Sequence, residues 1–477
     1  MGLSLLTDLY ELTMMQGYFV ACREDEAVFD MFFRRHPFGG GYTIFAGLRP
    51  LLEALSSLRF SQEDIDYLSS LNMFHKEFLD YLSAFSFRGD VHAVEEGTPV
   101  FPYEPIVRVK GRLMEAQLIE SLVLNILNFQ SLVATKASRV VGAAEGRPVL
   151  EFGLRRAQGI DGALAASRAS FIGGASATSN TLAGKIWGIP VSGTMAHSWV
   201  MNFPSEQEAF ETYASVYRDR CVLLVDTYDT LGSGVPNAIR VFHTLKPHCP
   251  SLMAIRIDSG DLEAIARAAR RMLDEAGLGD VKIYASSDLD EWTIRALVLS
   301  GAPIDAFGVG TRMVTGWDDP ALTGVYKIAA KKVGGTFHPR IKISDQNEKT
   351  TLPGVKNIIR LYQGDGSMTA DLICLEEEVD DIESLIRNGM PLTVYSDSNG
   401  GIVTLPEYSE ARPLLVPVMA HGRIIKEPES LQTIRERCAR GISSLSSSVR
   451  RISNPEIYPV YVSERLARIK EDLLHNR

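Results

Sequence analysis

Cysteine is scarce and scattered: five residues, Cys22, Cys221, Cys249, Cys374 and Cys438, in 477 positions, with no CxxC pair. That excludes a zinc ribbon and a disulfide scaffold, and it suits a reduced, cytoplasmic setting. Long apolar runs are also missing; nothing in the chain approaches the about eighteen uninterrupted residues that a membrane-crossing helix needs. The opening MGLSLLTDLYELTMMQGYF has no basic leader, and Asp8 and Glu11 interrupt its apolar residues, so it reads as mature structure rather than a signal peptide. Leu6 stands where a myristoylation signal requires Ser or Thr. Positive charge is in deficit, 49 Lys and Arg against 59 Asp and Glu for a formal charge of −10. That balance argues against a general nucleic-acid binder and leaves room for a small anionic substrate held by a local basic pocket.

What is present is core-forming: 45% of the residues are hydrophobic, enough to bury a large interior divided over two or three domains. Up to about residue 114 the chain mixes helical stretches with the strand-like AVFDMFF and DVHAVEEGTPVFPYEPIVRVKG, which predicts an α+β domain over 1–114. Residues 115–133, EAQLIESLVLNILNFQSLV, predict an apolar helix. From 115 to 330 short Val/Ile/Leu-rich runs alternate with amphipathic segments. The runs are PVLEFGLR, GIPVSG, CVLLVDTYD, LMAIRIDSGD, KIYASSD and IDAFGVGT; the helices are PNAIRVFHTL, LEAIARAARRMLDEAG and LDEWTIRALVLSG, with Gly277 and Gly301 placed as C-caps. This rhythm predicts an α/β fold containing a complete or partial (β/α) barrel. Residues 331–477 read as returning strands and a C-terminal helical region that complete the α+β domain, with a turn at Pro353-Gly354 and a helix in SLQTIRERCARGISSLSSSVRRI.

Barrel enzymes gather their chemistry at the C-terminal ends of the strands. Here those ends carry Arg155 and Arg156, His197 and Ser198, Asp226 and Asp229, Asp258 and Asp261, Ser287 and Asp288, and the loop Gly308-Val309-Gly310-Thr311. Each has a plain alternative: Asp258-Ser259-Gly260-Asp261 suits a helix N-cap, and His197 suits a hydrogen-bonded packing residue after a buried strand Ile189–Ser192. Together they place guanidinium groups for a carboxylate or phosphate beside carboxylates suited to Mg²⁺ or to a cationic transition state. A phosphorylated sugar reacting at a carbon that becomes positive would need both.

The segments LLTDLYELTMMQGYF, EFGLRRAQGIDGALAASRASFIGGASATSNTLAG, GTMAHSWVM, DTYDTLGSGVPNAI, RIDSGDL and KISDQNEKTTLPG resemble the nicotinate phosphoribosyltransferase family over residues 3 to about 354. The resemblance implies an irregular barrel of the type II phosphoribosyltransferase kind beside an α+β domain, in a homodimer whose sites are shared between subunits. It implies ATP-dependent joining of nicotinate to phosphoribosyl pyrophosphate in NAD salvage, with Mg²⁺ bound through the substrate pyrophosphate and also at Asp226. His197 matches the family's phosphohistidine, with Ser198 beside it. Tyr10, from the neighbouring subunit, and Phe152 match the residues that sandwich the pyridine ring, and Arg155 the partner of its carboxylate. Asn180 stands where nicotinamide-using relatives carry an acid, which favours the acid substrate. Asp258 and Asp261 are matched to the ribose, with Asp288 in the same electrostatic task, Arg256 to the diphosphate or ATP, and Gly308, Gly310 and Thr311 to the 5′-phosphate. On the residues alone, both aromatics also suit core positions. A nicotinamide or quinolinate phosphoribosyltransferase, or a catalytically silent pyridine-nucleotide binder, stays open as an alternative.

Overall fold

A computed structural model of the chain describes residues 2–23, 25–344, 349–396, 401–405 and 408–475. Asp345–Glu348 of the KISDQNEKTTLPG segment, and Pro406 and Glu407 of the expected C-terminal connection, lie outside the described residues. The chain divides into two compact units, one made of Met1–Leu132 with Ala321–Arg477 and the other of Val133–Pro320.

The second unit holds a six-stranded parallel sheet curled into a half-barrel. Its strands are β1 (Val149–Glu151), β2 (Ala177–Thr178), β3 (Arg220–Leu224), β4 (Leu252–Ile257), β5 (Lys282–Ser287) and β6 (Ala306–Val309), in the order β2-β1-β6-β5-β4-β3. Five of the six apolar runs form strands because their branched side chains are buried on the pleat. The helices Val235–Leu245, Leu262–Glu275 and Glu291–Leu299 follow β3, β4 and β5 as the amphipathic pattern predicts. Gly277 and Gly301 take positive φ just past the last two of these helices.

The sixth run departs from expectation. Ile189–Ser192 is not a strand; it makes a single parallel bridge, Thr178 to Val191, and Val191 is half exposed. Pro190 has no N–H to continue a ladder. It offers only its carbonyl, to the N–H of Thr178 at 3.0 Å, while Ser192 N–H reaches Thr178 O at 3.0 Å. The segment lies beside β2, at the edge of the sheet. His197 therefore stands at the start of the helix His197–Met201, at the end of a loop.

In the first unit a seven-stranded antiparallel sheet runs, in spatial order, through Thr336–Pro339, Gly324–Val333, Glu26–Phe33, Val107–Arg112, Asp90–Ala93, Val416–Ala420 and Arg423–Ile424. Phe29, Met31 and Phe33 project from it into a core shared with Phe45, Phe78 and Val107. A second, six-stranded sheet contains Lys356–Tyr362 and Met368–Leu375, after Gly354 turns the chain with φ +91°. Inside it Arg360 forms a two-pronged ion pair with Asp371 at 2.9 and 2.6 Å. The helix expected over 115–133 is two helices, Leu113–Leu118 and Glu120–Ala143, with Ile119 between them. The C-terminal helix expected after Ser430 spans Leu431–Ser444, and the Ser430 hydroxyl caps it. No helix among the described residues is long and apolar enough to cross a membrane.

Candidate active site

Strand register assembles the centre of the site. β3 and β4 pair with Leu224 beside Arg256, so two residues further on Asp226 stands beside Asp258, past the strand ends and on the same face. β5 pairs with Ala285 beside Ile257, which brings Ser286 next to Asp258 on its other side. The side chains interlock accordingly. Asp226 Oδ2 accepts from the N–H of Asp258 at 2.9 Å and from Ser259 Oγ at 2.6 Å, and Asp258 Oδ1 accepts from Ser286 Oγ at 2.6 Å. The Asp226 side chain is 1% exposed, yet its Oδ1 has no hydrogen-bond partner in the protein.

That free oxygen faces His197. The imidazole Nε2 lies 4.0 Å from Asp226 Oδ1 and 3.9 Å from Asp258 Oδ2, while Nδ1 meets Thr227 Oγ1 at 3.2 Å. His197 is 41% exposed, so it is not a packing residue. A tautomer with Nδ1–H donating to Thr227 Oγ1 would leave Nε2 with a lone pair, the form a nucleophile requires. Arg256 closes one side: Nη2 is 3.7 Å from Asp258 Oδ2, and Nη1 binds Thr194 Oγ1 and the carbonyl of Met195 just before His197. Burial pulls the Arg256 pKa below its ordinary value, with the two aspartates pulling the other way.

Phe152 follows β1, and its ring centroid lies 6.0 Å from the Arg256 guanidinium carbon. Gly308 makes room for the ring, because a Cβ there would stand 2.6 Å from Phe152 Cδ2 and Cε2. The turn Leu154–Arg156 then puts the Arg155 side chain into solvent, close enough to Arg256 to disfavour its charge. His197, Asp226, Asp258, Arg256, Phe152 and Arg155 are thus brought together by one unit.

The remaining candidates have other surroundings. Asp261 is exposed and caps the helix Leu262–Glu275 through Ala264 N at 3.0 Å, the cap its spacing allowed. Asn180 is buried with both polar atoms of its amide engaged: Oδ1 caps the next helix at Ala183 N, 3.2 Å, and Nδ2 donates to Ser167 Oγ at 3.2 Å. Ser198 is exposed on the short helix of His197. Asp288 is exposed and 3.5 Å from Arg312 Nη2; it follows Ser287, whose φ of +136° strains the end of β5. Gly310 precedes the short helix Thr311–Val314, with Gly310 and Thr311 both partly exposed. Tyr10 belongs to the first unit, on the helix Leu9–Val20, with 49% of its surface in solvent. Two features escaped sequence reasoning. Arg312 is anchored by Asp290 at 2.7 Å and lies over the ring of Trp317; the Asp290-x-x-Thr293 cap spacing was a usable signal for half of that. Glu151 gathers hydrogen bonds from residues distant in sequence and had no signal.

Comparison with known proteins then decides the family. Residues 5–128 match the nicotinate phosphoribosyltransferase N-terminal domain, 148–379 the nicotinate phosphoribosyltransferase family and 355–470 the C-terminal domain. The chain belongs to the nicotinate phosphoribosyltransferase family. It is 42% identical over 465 residues to a nicotinate phosphoribosyltransferase of Bacillus subtilis, covering 97% of this chain and 93% of that one. It is 34% identical over 527 residues to the nicotinate phosphoribosyltransferase of Homo sapiens, covering 98% and 96%. The solved structure of the human nicotinic acid phosphoribosyltransferase superposes with a TM-score of 0.84 at 32% identity, covering 98% of this chain and all of that one. A nicotinate-nucleotide pyrophosphorylase from Pyrococcus furiosus shares the fold at 22% identity, with a TM-score of 0.67 over 92% and 94% of the two chains.

Proposed function

We propose that this family member joins nicotinate to phosphoribosyl pyrophosphate in NAD salvage, assisted by ATP through a phosphohistidine at His197, and that it works in the cytoplasm as a homodimer. The observation that carries the reading is His197 Nε2 between Asp226 and Asp258, with Nδ1 held by Thr227. Nε2 attacks the γ-phosphorus of ATP as the bond to the ADP oxygen breaks; water later attacks the phosphohistidine and releases phosphate, restoring the imidazole. Two carboxylates facing a polyphosphate repel it unless a divalent cation lies between them. Mg²⁺ would be held by substrate phosphate oxygens together with the free Asp226 Oδ1. Bound there, it would disperse negative charge on the leaving pyrophosphate.

In the glycosyl step the pyridine nitrogen bonds to the anomeric carbon as the carbon–oxygen bond to pyrophosphate breaks. The nitrogen lone pair is already available, so no base is needed. Asp258, held rigid by Ser286, supplies negative charge for the cationic sugar, and Asp261 and Asp288 add to the field at that rim. Phe152 offers a stacking surface, Arg155 a cation for the substrate carboxylate, and Tyr10 of the partner subunit the second face of the ring sandwich. Asn180 adds no carboxylate of its own at the position where an acid would repel the substrate. Arg256 serves the diphosphate, Ser198 lies beside the phospho-acceptor, and Gly308, Gly310 and Thr311 border the 5′-phosphate. Incubation with γ-labelled ATP and Mg²⁺ should place acid-labile phosphate on His197; label retained in His197→Ala would overturn the assignment.

A further inference from the structure

Glu151 ends β1 immediately before Phe152, is buried, and takes no part in the steps above. Its carboxylate ties three separate segments together. Oε1 accepts from the N–H of Gly153 in the turn that carries Arg155. Oε2 accepts from Ser167 Oγ on the helix Gly159–Ile172 at 2.9 Å, and from Thr178 Oγ1 on β2 at 2.5 Å. The last contact follows from register, since Glu151 and Thr178 are paired neighbours in the sheet.

A carboxylate offers only acceptors, so both hydroxyls turn their hydrogens toward it and keep their oxygens for other donors. Those donors are both from Asn180. Its N–H reaches Thr178 Oγ1 at 3.0 Å, and its Nδ2 reaches Ser167 Oγ at 3.2 Å. With Nδ2 so committed, Oδ1 is left for the N–H of Ala183. The Ala183 N–H calls for Oδ1, and Ser167 Oγ with Ala163 O at 3.5 Å calls for Nδ2; Glu151, one hydroxyl away, orients the Ser167 and Thr178 oxygens that support this arrangement. Ala163 O, 3.0 Å from Ser167 Oγ, is the acceptor that hydroxyl would turn to if Glu151 stopped accepting.

We infer that Glu151 is a positioning residue for the aromatic-acid pocket, an acceptor-only hub that fixes the Phe152–Arg155 turn and the Asn180 amide relative to each other and thereby sets affinity for nicotinate. This rests on the reading that nicotinate lies against Phe152 and Arg155. Glu151→Gln keeps the size of the side chain but replaces one acceptor with an NH₂ that must face either the Gly153 N–H or the two hydroxyls, so one link must reverse or break.

The test uses the full-length enzyme and its Glu151→Gln, Glu151→Asp and Arg155→Ala variants, measuring KM for nicotinate and for phosphoribosyl pyrophosphate, kcat, and the melting temperature. The expected result for Glu151→Gln is a rise of about tenfold in nicotinate KM, with kcat and the other KM changed by less than about twofold. Glu151→Asp, which remains acceptor-only, recovers part of the loss. Normal nicotinate KM in Glu151→Gln beside an impaired Arg155→Ala overturns the inference and leaves the pocket reading standing. Equal rises in both KM values with a lowered melting temperature also overturn it, as a purely structural role. If Arg155→Ala itself binds nicotinate as the wild type does, the pocket reading falls and takes the inference with it.

Discussion

Replacing Gly308 with alanine puts the geometry under Phe152 to a quantitative test. The added Cβ would stand 2.6 Å from two carbons of the Phe152 ring and 3.2 Å from Ser286 Cβ. Carbon atoms settle about 3.5 to 4.0 Å apart, so the ring must retreat by about 1 Å. Such overpacking costs about 1 to 3 kcal/mol where the surroundings are firm. A displaced ring forfeits an aromatic contact with the pyridine worth about 0.5 to 1.5 kcal/mol, which predicts a roughly two- to twelvefold rise in nicotinate KM. Steady-state rates with each substrate varied in turn separate this effect from the one expected on phosphoribosyl pyrophosphate, whose 5′-phosphate Gly308 also borders. An unchanged nicotinate KM would mean that the Phe152 ring does not bear on nicotinate. A rise confined to phosphoribosyl pyrophosphate would mean that Gly308 serves the 5′-phosphate and not the ring.

Two further outcomes are expected. Burial raises the Glu11 carboxyl to about 7 from its usual 4.5, against an opposing hydrogen bond from Gln117. The fold therefore favours the protonated form, and its stability relative to Glu11→Gln is full below pH 4.5 and declines as pH rises through 7. Thermal melts should coincide near pH 4.5 and favour Glu11→Gln at pH 8; a constant difference across that range would contradict the assignment. Shared sites predict complementation between Tyr10→Ala and Arg155→Ala chains, each nearly inactive alone. With free exchange about half of the dimers are mixed, each with one intact site, so activity should return to about a quarter of wild type. No recovery after exchange has been verified with tagged chains would confine Tyr10 to its own subunit.

The sheet was legible wherever burial on both faces demanded an unbroken branched run, as in CVLLV and LMAIRI. GIPVSG also carries branched apolar residues but fails as a strand, because Pro190 has no N–H to donate. Ala177–Thr178 is a strand too short to show a period; it exists because Leu150 and Glu151 offer it partners. In the site, side chains projecting from strand ends were readable one by one. Their pairing was not, since the contact of Asp226 with Asp258 depends on the Leu224–Arg256 register across 32 residues. Asp261 shows the converse: its cap was readable from local spacing, and the structure makes that cap. Glu151 was invisible because its partners Ser167 and Thr178 lie 16 and 27 residues away on different elements.

A product assay decides whether the transfer to nicotinate is assisted by ATP. Purified enzyme is given phosphoribosyl pyrophosphate and Mg²⁺ with nicotinate, nicotinamide or quinolinate in parallel, each with and without ATP, and the mononucleotide, ADP and phosphate are quantified. Nicotinate mononucleotide should be the dominant product, with ATP increasing its yield and ADP and phosphate appearing alongside, and with His197→Ala losing that increase. Preferential use of nicotinamide or quinolinate, or nicotinate turnover indifferent to ATP and to His197, would contradict an ATP-assisted transfer to nicotinate.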